Sequence, residues 1–334
     1  MKALITAPFT DECKRRLKEN GINYIDMDWR KTKRVLDEDE LIEIINKEGI
    51  NITITELEHI TEDVINSTNL KIIAIARSNA RINVDLEAAT AKGIPVIHAP
   101  GRNANAVAEL TIALMLAVLR KVVLVDRIYR REKIKFETME EFLDFYDSLR
   151  GHELSGKTVG IIGLGKVGYR VAQLLRPFNV RLLVYDPYVS EEKIRSVNAK
   201  RVNLEMLLRE SDIITVHAAP TEETLGLIGE DQINLMKPTA IVINTARSLI
   251  VDEDALFKAL KERRIAGAGL DVFDDEPLEY TNRFFQLDNV VLTPHIGGDT
   301  FETIKNHSRM ITEDILRILR GERPRYIANP SVLR

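Results

Sequence analysis

TVGIIGLGKVG, running from Thr158 to Gly168, decides the fold. It opens as an apolar, β-branched strand and continues into a helix-like stretch. Between the two stand glycines at 163, 165 and 168, and Asp186 closes the next apolar run, RLLVYD. A strand, a glycine-rich turn, a helix and an acid at the end of the second strand predict a dinucleotide site. Gly163 permits the tight turn, and Gly165 lets the backbone amides of residues 164–167 approach a pyrophosphate. Gly168 lets helix and strand pack closely. The phosphates would sit on the positive end of the helix dipole. Asp186 is expected to accept hydrogen bonds from both hydroxyls of an adenosine ribose and to repel a 2′-phosphate. NAD is therefore expected rather than NADP.

A rival phosphate motif lies just upstream. GHELSGKT, residues 151–158, matches the P-loop pattern, but a P-loop needs a strand before it and a helix after it. Here the preceding EFLDFYDSLR reads as an amphipathic helix and the following TVGIIG as a strand. The order is inverted, so Lys157 and Thr158 are read as the opening of that strand.

A chain of 334 residues is long for one core and suggests two domains. Its 47 basic and 51 acidic residues leave a net charge of −4, which speaks against a polyanion- or membrane-seeking surface and for a small-molecule partner. Cys13 is the single cysteine, so no intrachain disulfide or thiolate cluster is possible, and a reducing cytoplasm is expected. MKALITAPF carries no apolar signal core. The greasiest helix, near Leu110 to Leu119, falls short of the roughly 20 residues that span a bilayer. A soluble protein is expected.

Apolar runs alternate with helix-like stretches along the chain. KALIT, NYIDM, NITIT, LKIIAIA and IPVIHA read as five parallel strands, and TVGIIG, RLLVYD, DIITVHA, AIVINTA, AGAGLDVF and NVVLTP as six more. The expected class is α/β with two doubly wound parallel sheets. Residues 101–294 are expected to form a Rossmann NAD-binding domain inserted in a flavodoxin-like substrate domain of residues 1–100 plus 295–334. The helix Phe301 to Arg320 is expected to return to that first domain. The crossings near Pro100-Gly101 and near Pro294 to Gly298 are expected to act as a stiff hinge.

In open α/β sheets ligands bind outside the carboxyl ends of the strands. Arg247 follows AIVINTA, Asp271 ends AGAGLD, Glu276 lies in DVFDDEP, and His295 follows VVLTP. If the substrate is a 2-oxo acid, a planar guanidinium can pair with its carboxylate, and Arg247 is assigned that task. An imidazolium suits protonation of the developing alkoxide, a role given to His295. Glu276 is placed to hold the imidazole's tautomer and favour its charged form. Singly, each could be a surface charge or a strand-end residue. Of the other histidines only His217 stands at a strand's carboxyl end in the second domain, where it could line the adenine side. No histidines are spaced as metal ligands, and no metal is expected.

These segments resemble the D-isomer-specific 2-hydroxyacid dehydrogenase family over nearly the whole length. The likeness rests on GLGKVG with Asp186, HAAPTEETLGLI, INTARSLIVDEDAL, GLDVFDDEP and TPHIGG, in that order. It implies catalytic roles for Arg247, Glu276 and His295, and a contact from Asp271 to the nicotinamide carboxamide. It places Thr245, Ala246, Gly297 and Gly298 in cofactor-contacting segments. It also implies a homodimer joined through the cofactor domains, with the helix Asn105 to Arg131 as the expected contact.

The chain departs from the family in the loop whose glycine amides help hold the substrate carboxylate, which here reads ARSNARINVD. Ser78 and Asn79 are the candidates in that loop. Arg77, Arg81 and Arg102 could form a second anionic pocket for a phosphorylated substrate, but are read as solvated loop charges. The alternative to an enzyme is an NAD-sensing corepressor-like protein.

Overall fold

The computed structural model describes residues 1–131 and 134–333; Arg334, the last residue of the expected substrate domain, lies outside them. The chain divides into two compact units, Met1–Asn103 with Thr300–Arg334, and Ala104–Asp299.

The first unit holds β1 (Lys2–Ile5), β2 (Asn23–Asp26), β3 (Ile52–Thr55), β4 (Ile72–Ile75) and β5 (Val96–His98), all parallel in the order β2-β1-β3-β4-β5. That is the flavodoxin-like order. Leu4, Ile73 and Ile75 point to one apolar layer, and Ala3, Ile5, Ile52 and Ile54 to the other. Burial on both faces explains why these strands read as unbroken apolar runs. The helix Phe301–Leu319 returns to this unit and seals one layer with Ile311, Ile315 and Leu316.

The second unit holds β6 (Thr158–Ile162), β7 (Arg181–Tyr185), β8 (Ala199–Arg201), β9 (Ile213–Val216), β10 (Ile241–Asn244), β11 (Gly267–Leu270) and β12 (Val290–Leu292). Their order is β12-β11-β10-β9-β6-β7-β8, again parallel throughout. Reversal of direction at β6 is the doubly wound Rossmann arrangement, extended by one strand.

Two expectations need correcting. Six strands were expected here and seven form, because β8 is a three-residue edge strand, Ala199-Lys-Arg, with no apolar run to signal it. The helix expected over Asn105 to Arg131 is two helices, Ala104–Leu119 and Val122–Arg131. Lys121 between them takes a left-handed φ of 53°, which no α-helix accommodates. The upstream glycine motif behaves as expected. A helix, Met139–Ser148, precedes it, and Thr158 opens β6.

Candidate active site

The geometry of the site follows from strand register. Tyr185, Ile162, Val216, Asn244, Leu270 and Leu292, the last residues of six neighbouring strands, are paired across the sheet in one row. The residues that follow them, Asp186, Gly163, His217, Thr245, Asp271 and Thr293, therefore emerge together along the carboxyl edge. Backbone hydrogen bonds continue the ladder one step further, from Gly163 N–H to Tyr185 O (2.9 Å), His217 N–H to Ile162 O (2.7 Å), Asp271 N–H to Asn244 O (3.0 Å) and Thr293 N–H to Leu270 O (2.9 Å).

At β6 the three glycines differ in what they do. Gly163 has φ of 88°, and a Cβ there would lie 2.7 Å from the Ala218 nitrogen. A Cβ on Gly168 would lie 2.1 Å from the Gly163 carbonyl oxygen. Both glycines are therefore required by the protein's own packing. Gly165 caps the helix Lys166–Leu175, and a Cβ there would meet nothing within 4 Å. The amides of Gly165 and Val167 donate to no acceptor among the described residues. An open helix N-terminus with bare amides is an anion cradle.

Asp186 is more committed than expected. Its Oδ2 accepts the Leu164 N–H at 2.8 Å, and its Oδ1 those of Tyr188 (2.9 Å) and Val189 (3.1 Å). Leu164 therefore drops out of the amides expected to meet a pyrophosphate. A lone pair remains on Oδ2 for a ribose hydroxyl, whereas both on Oδ1 are engaged. Arg201 on β8 fixes the same loop by donating to the carbonyls of Asp186 and Val189.

At β10 the buried Asn244 ties the following turn: its side-chain amide donates to Arg247 O (2.9 Å), and its oxygen accepts the Ala246 N–H (3.0 Å). Arg247 is exposed. Its guanidinium donates to the Ala246 carbonyl at 2.6 Å and pairs with no carboxylate among the described residues. The hydroxyl of Thr245 is turned into the core onto Thr111 Oγ1 (2.8 Å). Asn244 and Thr111 escaped sequence reasoning. The signal for Asn244 was present, a polar residue closing the apolar run AIVIN.

At β11 and β12, Asp271 is 1% exposed. Its Oδ1 accepts from Thr293 Oγ1 (2.6 Å) and Ile296 N–H (2.9 Å), and its Oδ2 from Gly297 N–H (2.8 Å). Inside that loop His295 has a left-handed φ of 55°, and its N–H donates to Asp271 O at 2.9 Å. The His295 ring reaches Glu276, Nδ1 to Oε2 at 2.6 Å, while Glu276 Oε1 accepts the Phe273 N–H at 3.1 Å. A carboxylate can only accept here, so Nδ1 carries the proton. Nε2 is left for exchange, on a ring whose side chain is 45% exposed.

A family profile for the D-isomer specific 2-hydroxyacid dehydrogenase NAD binding domain matches residues 112–297. The chain belongs to that family. It is 39% identical over 333 residues to a D-3-phosphoglycerate dehydrogenase of Archaeoglobus fulgidus, covering 99% of this chain but 60% of that relative's length. It is 37% identical over 328 residues to a glyoxylate reductase of Pyrococcus furiosus, covering 96% and 95% of the two chains. The crystal structure of a Thermus thermophilus protein superposes with a TM-score of 0.85 at 33% identity, over 98% of this chain and all of that one. The protein is thus an NAD-dependent oxidoreductase of this family. The glycine turn fits the cofactor, since the one glycine not demanded by packing, Gly165, borders open space beside unpaired amides.

In the first unit the side chains of Ser78 and Asn79 have structural duties. Ser78 Oγ accepts the Gly101 N–H (3.3 Å), and Asn79 Oδ1 the Arg81 N–H (3.1 Å). The backbone amides of Ser78, Asn79 and Ala80 donate to no acceptor among the described residues. Of the arginines read as solvated, Arg81 does pair at the surface with Glu87. Arg102 corrects that reading, because its largely buried guanidinium donates to Glu56 Oε1 (2.6 Å) and to His307 Nδ1 (2.8 Å). His307 in turn donates from Nε2 to Pro8 O at 2.6 Å.

Burial, reinforced by the charge of Arg102, lowers the His307 pKa to about 4, and burial lowers that of His217 to about 3. Both rings are neutral in the fold, whereas an unfolded histidine takes a proton near pH 6.5. Their stabilising contribution is complete above about pH 6.5 and is lost as the pH falls toward 4 for His307 and 3 for His217. Urea titrations at pH 7.5 and 4.5 should therefore show a smaller acid loss of stability in His307→Gln than in the unaltered protein; equal losses would contradict the assignment. Gly165→Ala should leave the unfolding midpoint unchanged and weaken NADH binding by at least about tenfold, or 1.4 kcal/mol, in calorimetric titration. Undiminished affinity would remove the glycine turn as the pyrophosphate cradle.

Proposed function

We propose that this protein interconverts a small 2-oxo acid and the corresponding D-2-hydroxy acid, with Arg247, His295 and Glu276 as its catalytic residues. The observation that carries this reading is the 2.6 Å His295–Glu276 pair on the same sheet edge as a guanidinium that pairs with no carboxylate among the described residues. Arg247 offers paired N–H donors to the substrate carboxylate, which polarises the neighbouring carbonyl. His295 presents Nε2 to the carbonyl oxygen and delivers its proton there, while Glu276 holds Nδ1 and stabilises the imidazolium. In the oxidative direction the same Nε2 takes the hydroxyl proton. The nicotinamide, when bound, supplies or accepts the hydride.

For the cofactor we assign Gly163, Gly165, Lys166, Val167 and Gly168 to the pyrophosphate turn, Asp186 to the ribose, and His217, Thr245, Ala246, Gly297 and Gly298 to the edge along which the cofactor lies. Thr245 takes part through its backbone, because its hydroxyl is spent on Thr111. Ser78 and Asn79 contribute backbone N–H groups to an anionic substrate, and the first unit is the substrate domain. The engagement of Arg81 with Glu87 and of Arg102 with Glu56 supports an unphosphorylated substrate, in line with the relative named glyoxylate reductase. The NAD-sensing alternative is not favoured, since the related proteins are named as dehydrogenases and reductases. A cytoplasmic location is supported by the single, buried, unpaired cysteine; no helix among the described residues is long and apolar enough to cross a membrane.

We also propose a homodimer. The helices Val122–Arg131 and Met139–Ser148 bury none of their residues, yet expose Val122, Tyr129, Met139, Phe142, Leu143 and Tyr146. The first helix is rich in arginine and the second in acids, so a twofold partner could cover the apolar face with opposite charges aligned. Light scattering should give twice the 37.9 kDa chain mass, falling to one chain in Phe142→Asp; a monomer at micromolar concentration would refute the dimer.

The activity test is loss of NADH fluorescence with glyoxylate, hydroxypyruvate and pyruvate. His295→Ala should lose on the order of 10² to 10⁴ in turnover while still binding NADH. Unchanged turnover in that variant would dismiss the mechanism.

A further inference from the structure

The TPHIGG loop holds His295 in the left-handed backbone region, with φ of 55°, and one side chain braces the loop on both sides of it. Asp271 is buried, and its two carboxylate oxygens take three donors from this loop: the Thr293 hydroxyl and the N–H groups of Ile296 and Gly297. Its own carbonyl takes the N–H of His295. The donors lie two residues before His295 and one and two residues after it, so the carboxylate fixes the chain on both sides of the ring. A Cβ on Gly297 would lie 2.8 Å from Asp271 Oδ2. Glycine is thus needed at 297 to let the carboxylate reach the amide, in a place where no left-handed φ demands it.

We propose that Asp271, with Thr293 and Gly297, is a positioning device for His295: it sets the ring against Glu276 and aims Nε2, acting through the loop. This rests on His295 being the general acid and gives Asp271, Thr293 and Gly297 the task of orienting it, beside any contact they make with the cofactor. A carboxylate is required because every group facing it is a donor. An amide in its place would turn an NH₂ toward at least one N–H or O–H and push the loop away.

The test uses the full chain with ¹⁵N-labelled histidine. His217 and His307, one in each unit, act as internal reporters of folding. In the unaltered protein the His295 signal, identified by its loss in His295→Gln, should be that of an Nδ1–H ring bonded to a carboxylate. In Asp271→Asn that signature should be lost with the His217 and His307 signals unmoved. Turnover should fall about 10²-fold, the effect expected of a misplacement near 1 Å, with NADH affinity held within about threefold. Gly297→Ala keeps the carboxylate but displaces it, and Thr293→Val removes one donor. Both should change His295 and turnover in the same direction by smaller amounts, and they stand in should Asp271→Asn fail to fold. An unmoved His295 signal in all three variants would overturn the proposal, as would a loss of NADH binding beyond about tenfold with His295 undisturbed, the mark of a direct contact with the cofactor. The histidine readout needs no turnover. Failure of the unaltered protein to reduce any 2-oxo acid would therefore count against the proposed activity and leave the positioning role decided by the spectra.

Discussion

Parallel pairing in strict register is the constraint on which the rest of this structure depends. Because the last residues of β7, β6, β9, β10, β11 and β12 are aligned across the sheet, whatever follows each strand appears at the same height. Side chains separated by more than a hundred positions in sequence, Asp186 and Thr293 among them, are thereby delivered to one edge. A slip of one residue in any pair would exchange the side chains packed in the two apolar layers, and the close packing of both layers resists that exchange. The apolar layers above and below the sheet are in this sense what assembles the site.

On that edge, polar residues are held by donors and acceptors supplied within the chain. A non-glycine residue in the left-handed region costs about 1–2 kcal/mol. Hydrogen bonds to a charged acceptor are worth about 1.5–3 kcal/mol each. The three bonds converging on the Asp271 carboxylate are therefore enough to hold His295 in its conformation and to offset much of the desolvation of a buried charge. Asn244 does the same for the Arg247 turn with neutral bonds, and Asp186 for the loop after β7. Among the described residues, Arg247 pairs with no carboxylate, the outer face of His295 is open, and the amides of Gly165 and Val167 donate to no acceptor, and these are groups that the chemistry needs available.

Much of this could be read from sequence. The alternation of apolar runs and helices announced two parallel sheets, and the spacing of Gly163, Gly165, Gly168 and Asp186 announced the turn. Arg247, Glu276 and His295 could be singled out because each follows a strand that ends at the same edge. What escaped were features with no local signature. The edge strand Ala199–Arg201 has no apolar run, and the break at Lys121 is marked only by two basic residues, Arg120 and Lys121, which a helix could equally carry on its exposed face. The division of labour among the glycines was hidden too, since only the positions of Ala218 and of the Gly163 carbonyl show that 163 and 168 are required by packing while 165 is not. Likewise, Asp186 and Asp271 look in sequence like ligands for a cofactor. Their hydrogen bonds show that each first serves as a scaffold for the backbone around it.

The most direct measurement of the central claim is a crystal structure of the protein with NAD and an unreactive 2-oxo acid analogue. The account predicts the pyrophosphate on the amides of Gly165 and Val167, the analogue's carboxylate on the Arg247 guanidinium, and its carbonyl oxygen within hydrogen-bond distance of His295 Nε2. A dinucleotide seated away from the β6 turn, or an analogue touching neither Arg247 nor His295, would contradict it.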